Sequence, residues 1–375
     1  MPEVRGSVQE GLHRIAGTFA LPGPVTHLTP LGSGNVNDTY RVTVAGDGGD
    51  RHFVLQRLNT QVFRQPRLVM RNMQRVSDHV RRRLQQECGE LKGRRWEMPR
   101  VLVARDSGDP WVETEEGFWR TISFVENARS FDALSDCAQA RAVGEGLGLF
   151  HRLISDLPAA ELADTLEGFH VTPGYLEHHR RVLQRRTAPL NEAEARCTSF
   201  VAERQEAVAV LEEARARGEL KLRPIHGDPK VNNVMIDQRT GEAVALVDLD
   251  TVKPGLVHYD IGDCLRSGCN PLGEETGEPQ RVRFDPERCE ALLAGYLGVA
   301  RSFLTDADLA HLYDAIRLIA FELGLRFLTD HLEGNVYFKA RHPSHNLERA
   351  RVQFALTRSI EAQEATIRRQ IERWC

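Results

Sequence analysis

Three oxygen-bearing residues in two short stretches are spaced for chemistry in this sequence. In Ile225-His226-Gly227-Asp228-Pro229-Lys230-Val231-Asn232-Asn233 an asparagine stands five residues after an aspartate. Fifteen residues past Asn233 comes a second aspartate, in Leu246-Val247-Asp248-Leu249-Asp250. Short apolar runs over 233–236 and 243–247 read as β segments around a polar loop. A loop carboxylate can orient and deprotonate an attacking hydroxyl, while an amide and a carboxylate supply oxygen ligands that hold Mg²⁺ against phosphates. That set suits phosphoryl transfer, which needs positioning and charge stabilisation more than covalent chemistry from the protein.

A phosphate cradle should accompany it. Leu31-Gly32-Ser33-Gly34-Asn35-Val36-Asn37 is a glycine-rich turn that leads into strand-like alternation over 39–44. Glycines let backbone N–H groups approach phosphate oxygens, although a Gly-Ser-Gly turn alone is most often only a turn. A dinucleotide loop would open a helix, and a Walker-type loop needs Gly-Lys-Ser/Thr. No lysine here follows a glycine. A loop between two antiparallel strands, covering a nucleotide from above, fits best, with Gly32, Ser33, Gly34, Asn35 and Asn37 as its candidate contacts.

The elements that must hold these residues divide the chain in two. At 375 residues it is too long for one ordinary core. A helix is expected over 8–19, strands over 26–30, 39–44 and 52–57, a helix over 66–86, and strands near 100–105 and 117–125. The stripe Leu68, Val69, Met73, Val76, Val80, Leu84 fixes the buried face of the second helix. Five strands and that helix form a small N-terminal lobe, 1–125. From 126 to 375 the pattern is helical, near 137–154, 173–187, 191–217 and from 287 onward, interrupted by the β runs around the polar loop. The expected class is α+β, with two lobes.

Composition excludes several functions. Net charge is −4, so no basic footprint argues for nucleic acid or an anionic membrane. Seven scattered cysteines without a Cys-x-x-Cys pair suit neither a zinc site nor a disulfide framework and fit a reducing cytoplasm. There is neither an apolar leader nor an 18-residue apolar run.

His226-Gly227-Asp228 with Asn233 and Val247-Asp248 resembles the catalytic and metal-binding motifs of the aminoglycoside phosphotransferase family, relatives of protein kinases. The resemblance implies the protein-kinase-like two-lobe fold, with a small antiparallel N-lobe and a large, mainly helical C-lobe. It implies Asp228 as catalytic base, Asn233 and Asp248 as Mg²⁺ ligands, His226 as a structural loop residue, and ATP as co-substrate. Lys230 stands either where kinases contact the transferred phosphate or simply on the surface. Asp250 is a weaker metal candidate or a turn cap, and His258-Tyr259-Asp260-Ile261-Gly262-Asp263 resembles the family's acidic helix start, where Asp260 or Asp263 orders the catalytic loop. Ser123-Phe124-Val125 looks like the hinge whose backbone binds adenine, at Ser123 and Val125.

One feature departs from the kinase pattern. The third strand reads Phe53-Val54-Leu55-Gln56, with glutamine in the place of the usual lysine, and the helix over 66–86 holds no glutamate to pair with one. Losing both partners together avoids an unpaired charge. The expected substitute is a neutral contact between Gln56 and an amide such as Asn72, with Arg57 or Lys230 supplying positive charge.

Several segments resemble the N-acetylhexosamine 1-kinase branch. They include Asn37-Asp38-Thr39-Tyr40, Phe169-His170-Val171-Thr172-Pro173, Asp248-Leu249-Asp250-Thr251-Val252-Lys253-Pro254-Gly255 and Glu322-Leu323-Gly324-Leu325-Arg326-Phe327. That likeness implies transfer to the anomeric hydroxyl of an N-acetylated sugar, with Arg326, Asp330 and Tyr337 as sugar contacts or, alternatively, helix-surface and core-rim residues. Competing readings are kinases for aminoglycosides, choline or homoserine, and a catalytically dead nucleotide-binding module. A hydrolase is disfavoured: Cys269-Asn270-Pro271-Leu272-Gly273 lacks the arginine of a sulfatase motif, and no Gly-x-Ser-x-Gly is present.

Overall fold

The computed structural model describes residues 2–32, 36–46, 48–86, 91 and 93–374, with backbone only for 2–8. The chain opens with α1 (Pro2–Gly17), then β1 (Val25–Pro30), β2 (Asp38–Val44), β3 (Arg51–Leu58), α2 (Pro66–Gln86), β4 (Val101–Leu102), β5 (Val112–Thr114) and β6 (Gly117–Ser123). These strands make an antiparallel sheet in the order β1-β2-β3-β6-β4, with β5 also on β6. The alternation of β3 sends Phe53 and Leu55 to the α1 face, where they join Ile15, Phe19, Val42 and Trp119 in one apolar cluster. The other face takes α2, whose buried Val69, Met73, Val76 and Val80 follow helical spacing after Pro66 opens the helix.

The second part begins with β7 (Ala128–Arg129), α3 (Cys137–Ile154), α4 (Thr172–Arg185), α5 (Glu192–Ala202) and α6 (Val210–Ala216). Next come β8 (Arg223–Ile225), β9 (Val234–Asp237), β10 (Ala243–Leu246), β11 (Lys253–Gly255) and α7 (Val257–Gly268). It closes with α8 (Pro286–Ala300), α9 (Asp306–Ala310), α10 (Leu312–Leu332), α11 (His345–Glu361) and α12 (Glu364–Glu372). Two small antiparallel sheets, β10-β9-β7 and β11-β8, frame the polar loop that follows β8. Helix α10 is apolar on nearly every side and runs through the core. One apolar cluster is continuous from α2 to α12, so the two parts share a core.

Several boundaries differ from the expected ones. The strand near 100–105 shrinks to β4, and β5 makes the sheet six-stranded. The helix expected over 191–217 breaks into α5 and α6, because Arg204 turns to pair with Glu361 and lies 3.5 Å from the Phe200 ring centre. Helix α7, expected only as an acidic helix start, runs for twelve residues and is almost wholly buried.

Helices α3 and α8 meet through glycines. A Cβ on Gly295 would sit 2.1 Å from the Arg141 carbonyl oxygen, and one on Gly144 would sit 2.1 Å from that of Leu292. Neither backbone can yield without separating the helices. Gly295→Ala is therefore expected to cost about 3 kcal/mol and lower the urea midpoint; an unchanged midpoint would mean that the helices pack otherwise.

Candidate active site

The catalytic loop owes its shape to Asp260, in the first turn of α7. Its Oδ2 accepts from His226 N at 2.7 Å and from His151 Nε2 at 2.8 Å, and its Oδ1 accepts from Gly227 N at 2.8 Å. Burial opposes the Asp260 charge, but the bonds from His151 and the loop backbone outweigh it and hold the carboxyl below its usual range. Gly227 has φ +87°, and a Cβ there would lie 2.5 Å from the Thr251 carbonyl oxygen. His226 donates from Nε2 to Val247 O at 2.9 Å and accepts Asp228 N–H on Nδ1 at 3.3 Å. With one nitrogen donating and the other accepting, the ring is neutral, and burial lowers its pKa accordingly. His226 thus has the structural role expected of it.

This loop presents Asp228 to the cleft. Lys230 Nζ donates to Asp228 Oδ2 at 2.8 Å, and Asn233 Nδ2 donates to the Asp228 carbonyl at 2.7 Å. Recess in the cleft works against the Lys230 ammonium, but the carboxylates of Asp228 and Asp248 outweigh it and raise its pKa. Val247 N donates to Asn233 O at 2.9 Å, which sets the end of β10, and hence Asp248, beside Asn233. Asp248 adopts φ +64°, ψ +57°, a left-handed conformation that costs a non-glycine residue ~1–2 kcal/mol. Its side chain opens to solvent at the cleft, yet is recessed among Asp250 and Asp228. That recess, followed by these like charges, pushes its carboxyl up to about 7. Among the described residues no three His, Cys, Asp or Glu side chains form a ready-made metal cage.

On the sheet side the expected substitute for the strand lysine is corrected. Asn72 does not meet Gln56; it bonds Ala163 and Val252 at 2.8–2.9 Å, while Arg57 pairs with Asp38. Gln56 instead accepts from Arg120 on β6 and donates to Thr39 Oγ1. Asp250 acts neither as a cap nor toward the cleft: it pairs with Arg120 and accepts from Asn37 Nδ2 at 2.6 Å. Sequence reading passed over Arg120. Its signal was a charge in the middle of the apolar run Phe118-Trp119-Arg120-Thr121-Ile122. Gly32 is at the loop's entrance with φ +71°, whereas Ser33, Gly34 and Asn35 lie outside the described residues. Ser123 donates its backbone N–H to Arg100 O at 2.8 Å, and its side-chain Oγ accepts from Arg100 N at 2.9 Å. The backbone groups of Val125, the other expected hinge contact, are taken by nothing else among the described residues.

The opposite wall is built from α10 and the chain after it. His170 bonds Glu322 Oε1 through Nδ1 and the Gly227 carbonyl through Nε2, both at 2.9 Å. Both partners can only accept, so both ring nitrogens must carry hydrogens and the ring is an imidazolium. Burial alone would lower the His170 pKa, but Glu322 outweighs it and raises it. Arg326 lies 5.0–5.9 Å from the ring centres of Phe169, Tyr175, Tyr337 and Phe338. Tyr337 is 55% exposed. Asp330 is buried and takes the N–H groups of Tyr337 and Phe338 and the Asn346 amide, so its place is to hold the loop that carries Tyr337.

Comparison with known proteins identifies the family and the fold. The family model described as the phosphotransferase enzyme family matches residues 27–298. An aminoglycoside phosphotransferase from Alicyclobacillus acidocaldarius is 16% identical with a TM-score of 0.57, over 96% of each chain. A microcompartment-associated aminopropanol kinase gives 17% and 0.61, covering 96% of this chain and 98% of its own. A spectinomycin phosphotransferase in complex with ADP and spectinomycin gives 12% and 0.53, over 95% and 98%. The protein-kinase-like fold is shared throughout.

The His170–Glu322 pair gives stability a pH signature. A raised histidine pKa contributes fully below its ordinary 6.5 and fades as pH rises through the folded value, while the lowered Glu322 contributes above its ordinary 4.5. Glu322→Gln should cost about 3 kcal/mol near pH 6 and less as pH rises through the folded pKa of His170, read from urea midpoints. A loss that grew as pH rose would contradict the charged pair.

Proposed function

We propose that this chain, a member of the phosphotransferase enzyme family and so a phosphotransferase acting on a hydroxyl, uses ATP to phosphorylate a neutral sugar, an N-acetylhexosamine, at its anomeric hydroxyl. In this reading Asp228 takes the acceptor proton as the bond to phosphorus forms. Lys230 holds the carboxylate in place through Oδ2 and lies where the transferred phosphoryl group would pass. The glycine loop from Gly32 to Asn37 covers the phosphates, and Val125 offers its backbone to the base. Asn233 and Asp248 would hold Mg²⁺, whose other ligands come from phosphate and water. The crowded Asp248, its carboxyl pushed up by its recess and by Asp250 and Asp228, fits that role, since a nearby cation relieves the repulsion. Bound there, the ion would neutralise charge developing on the phosphate oxygens.

The observation that carries the acceptor class is Arg326. It sits among four aromatic rings, and among the described residues its guanidinium has no hydrogen bond, only a 3.9 Å approach to Glu322. A guanidinium at the acceptor wall repels choline, an amino alcohol or a polycationic aminoglycoside. It favours carbonyl and hydroxyl oxygens, such as an acetamido group. The acidic residues nearby are already paired: Asp263 with Arg266, Glu274 with both Arg266 and Arg349, and Glu275 with Arg349 and His345. Exposed Tyr337 offers a ring face for the apolar side of a sugar.

The test is nucleotide consumption with Mg²⁺ against N-acetylglucosamine, N-acetylgalactosamine, plain hexoses, choline, homoserine and an aminoglycoside. Turnover with an N-acetylhexosamine, yielding the acid-labile 1-phosphate, is the expected result; turnover with a cationic acceptor alone would overturn the sugar assignment. Asp228→Asn should lower kcat by ~10²–10⁴-fold while nucleotide still binds. Unimpaired turnover would remove Asp228 from the role of base.

A further inference from the structure

We propose that Arg120 is a positioning residue which, from β6, does the work expected of a β3 lysine by tying Asn37, at the start of β2, to the Asp248–Asp250 turn. This deepens the nucleotide side of the reading above and rests on the nucleotide lying beneath the glycine loop.

The observation is a closed ring of side chains. Thr39, Gln56 and Arg120 are direct cross-strand neighbours on β2, β3 and β6. Gln56 Nε2 donates to Thr39 Oγ1 at 3.1 Å, and Gln56 Oε1 accepts from Arg120 Nε and Nη2 at 2.9 and 2.7 Å. Arg120 Nη1 pairs with Asp250 Oδ1, and Asp250 Oδ2 accepts from Asn37 Nδ2 at 2.6 Å. Asn37 is two residues from Thr39, so the ring closes on the entry to β2. Its Oδ1 accepts from Asn59 N at 3.0 Å, which anchors that corner to the end of β3.

Chemistry and burial determine what this ring can do. Arg120 is 0% exposed and Asp250 2% exposed, with the Met70 and Met73 sulfurs 3.8 and 3.9 Å from the guanidinium. A guanidinium so enclosed cannot touch a nucleotide, and it survives burial because Asp250 balances its charge and Gln56 accepts from two of its nitrogens. That explains glutamine in place of lysine on β3: a second cation at position 56 would have no counter-ion, since α2 carries no glutamate. Asp250 is the ring's one member from the C-terminal part. It lies in the turn after Asp248, so Asn37 and the candidate metal ligand are held at a fixed separation. Arg120 therefore acts through its neighbours, holding Asn37, at the described end of the glycine-rich turn, against the turn that carries Asp248.

The test separates position from stability. Arg120→Met/Asp250→Leu removes both buried charges with apolar side chains of similar length, a replacement that commonly leaves folding intact. Thermal melting establishes that the variant is folded. Mg-nucleotide affinity, measured by titration calorimetry without acceptor, should fall about tenfold or more, and the nucleotide KM should rise in step while the acceptor KM stays within about twofold. Asn37→Ala alone should weaken nucleotide binding similarly, yet add nothing in the double-variant background, because the two changes break one tether. Wild-type nucleotide affinity in the folded double variant, or full additivity with Asn37→Ala, would overturn the proposal. Absence of nucleotide binding by the unaltered protein would sink the nucleotide reading itself, a different failure. Should the double variant not fold, Asn37→Ala decides alone: unchanged nucleotide affinity would refute the tether.

Discussion

A single buried carboxylate, Asp260, sets the geometry on which the rest of the site depends. It accepts from two successive backbone N–H groups and one imidazole, and no neutral side chain could satisfy all three without leaving a buried donor unpaired. Because the loop after β8 is bent around it, Asp228 faces the cleft and His226 reaches across to the Val247 carbonyl. That last bond joins the catalytic loop to the end of β10, next to Asp248. The left-handed backbone at Asp248 is sustained by this scaffold, and backbone strain of this kind gathers where a side chain must be aimed.

Charge is the second constraint. Asp228, Asp248 and Asp250 crowd one end of the cleft against Lys230 and Arg120, leaving one negative charge in excess and a suitable place for a divalent cation. At the acceptor end an alternating series of ion pairs, Asp263–Arg266–Glu274–Arg349–Glu275, leads from α7 to α11, and His345 hydrogen-bonds the last carboxylate. It ends near the loop that Asp330 holds. Buried charges paired in this way fix orientation more than they add stability. The same logic makes Arg326 informative, since its pairing with Glu322 is long and shared with the His170 imidazolium.

The sequence made legible what depends on local spacing. The interval between Asp228 and Asn233, the β runs around them and the stripe on α2 were all readable, because one turn or one helix face decides each. The partner of Gln56 was not. It depends on the register of β3 against β6 and on a turn two hundred residues downstream, and neither follows from local pattern. The break between α5 and α6 was hidden for the same reason: no glycine or proline marks it, and the bond from Arg204 to Glu361 on α11 does. Helix α7 was missed beyond its start because its buried face is rich in polar residues, which are apolar in effect only once Asp260 and Asp263 have found their partners. Arg120 was passed over, although a charge inside an apolar strand signals a buried partner.

The most direct test of the account is the crystal structure of the protein with Mg²⁺ and a non-hydrolysable nucleotide. The account predicts the metal between Asn233 and Asp248, the terminal phosphate facing Asp228, the base against Val125, and the ring of Asn37, Asp250, Arg120 and Gln56 intact above the phosphates. A nucleotide bound elsewhere, or a metal held without Asp248, would contradict it.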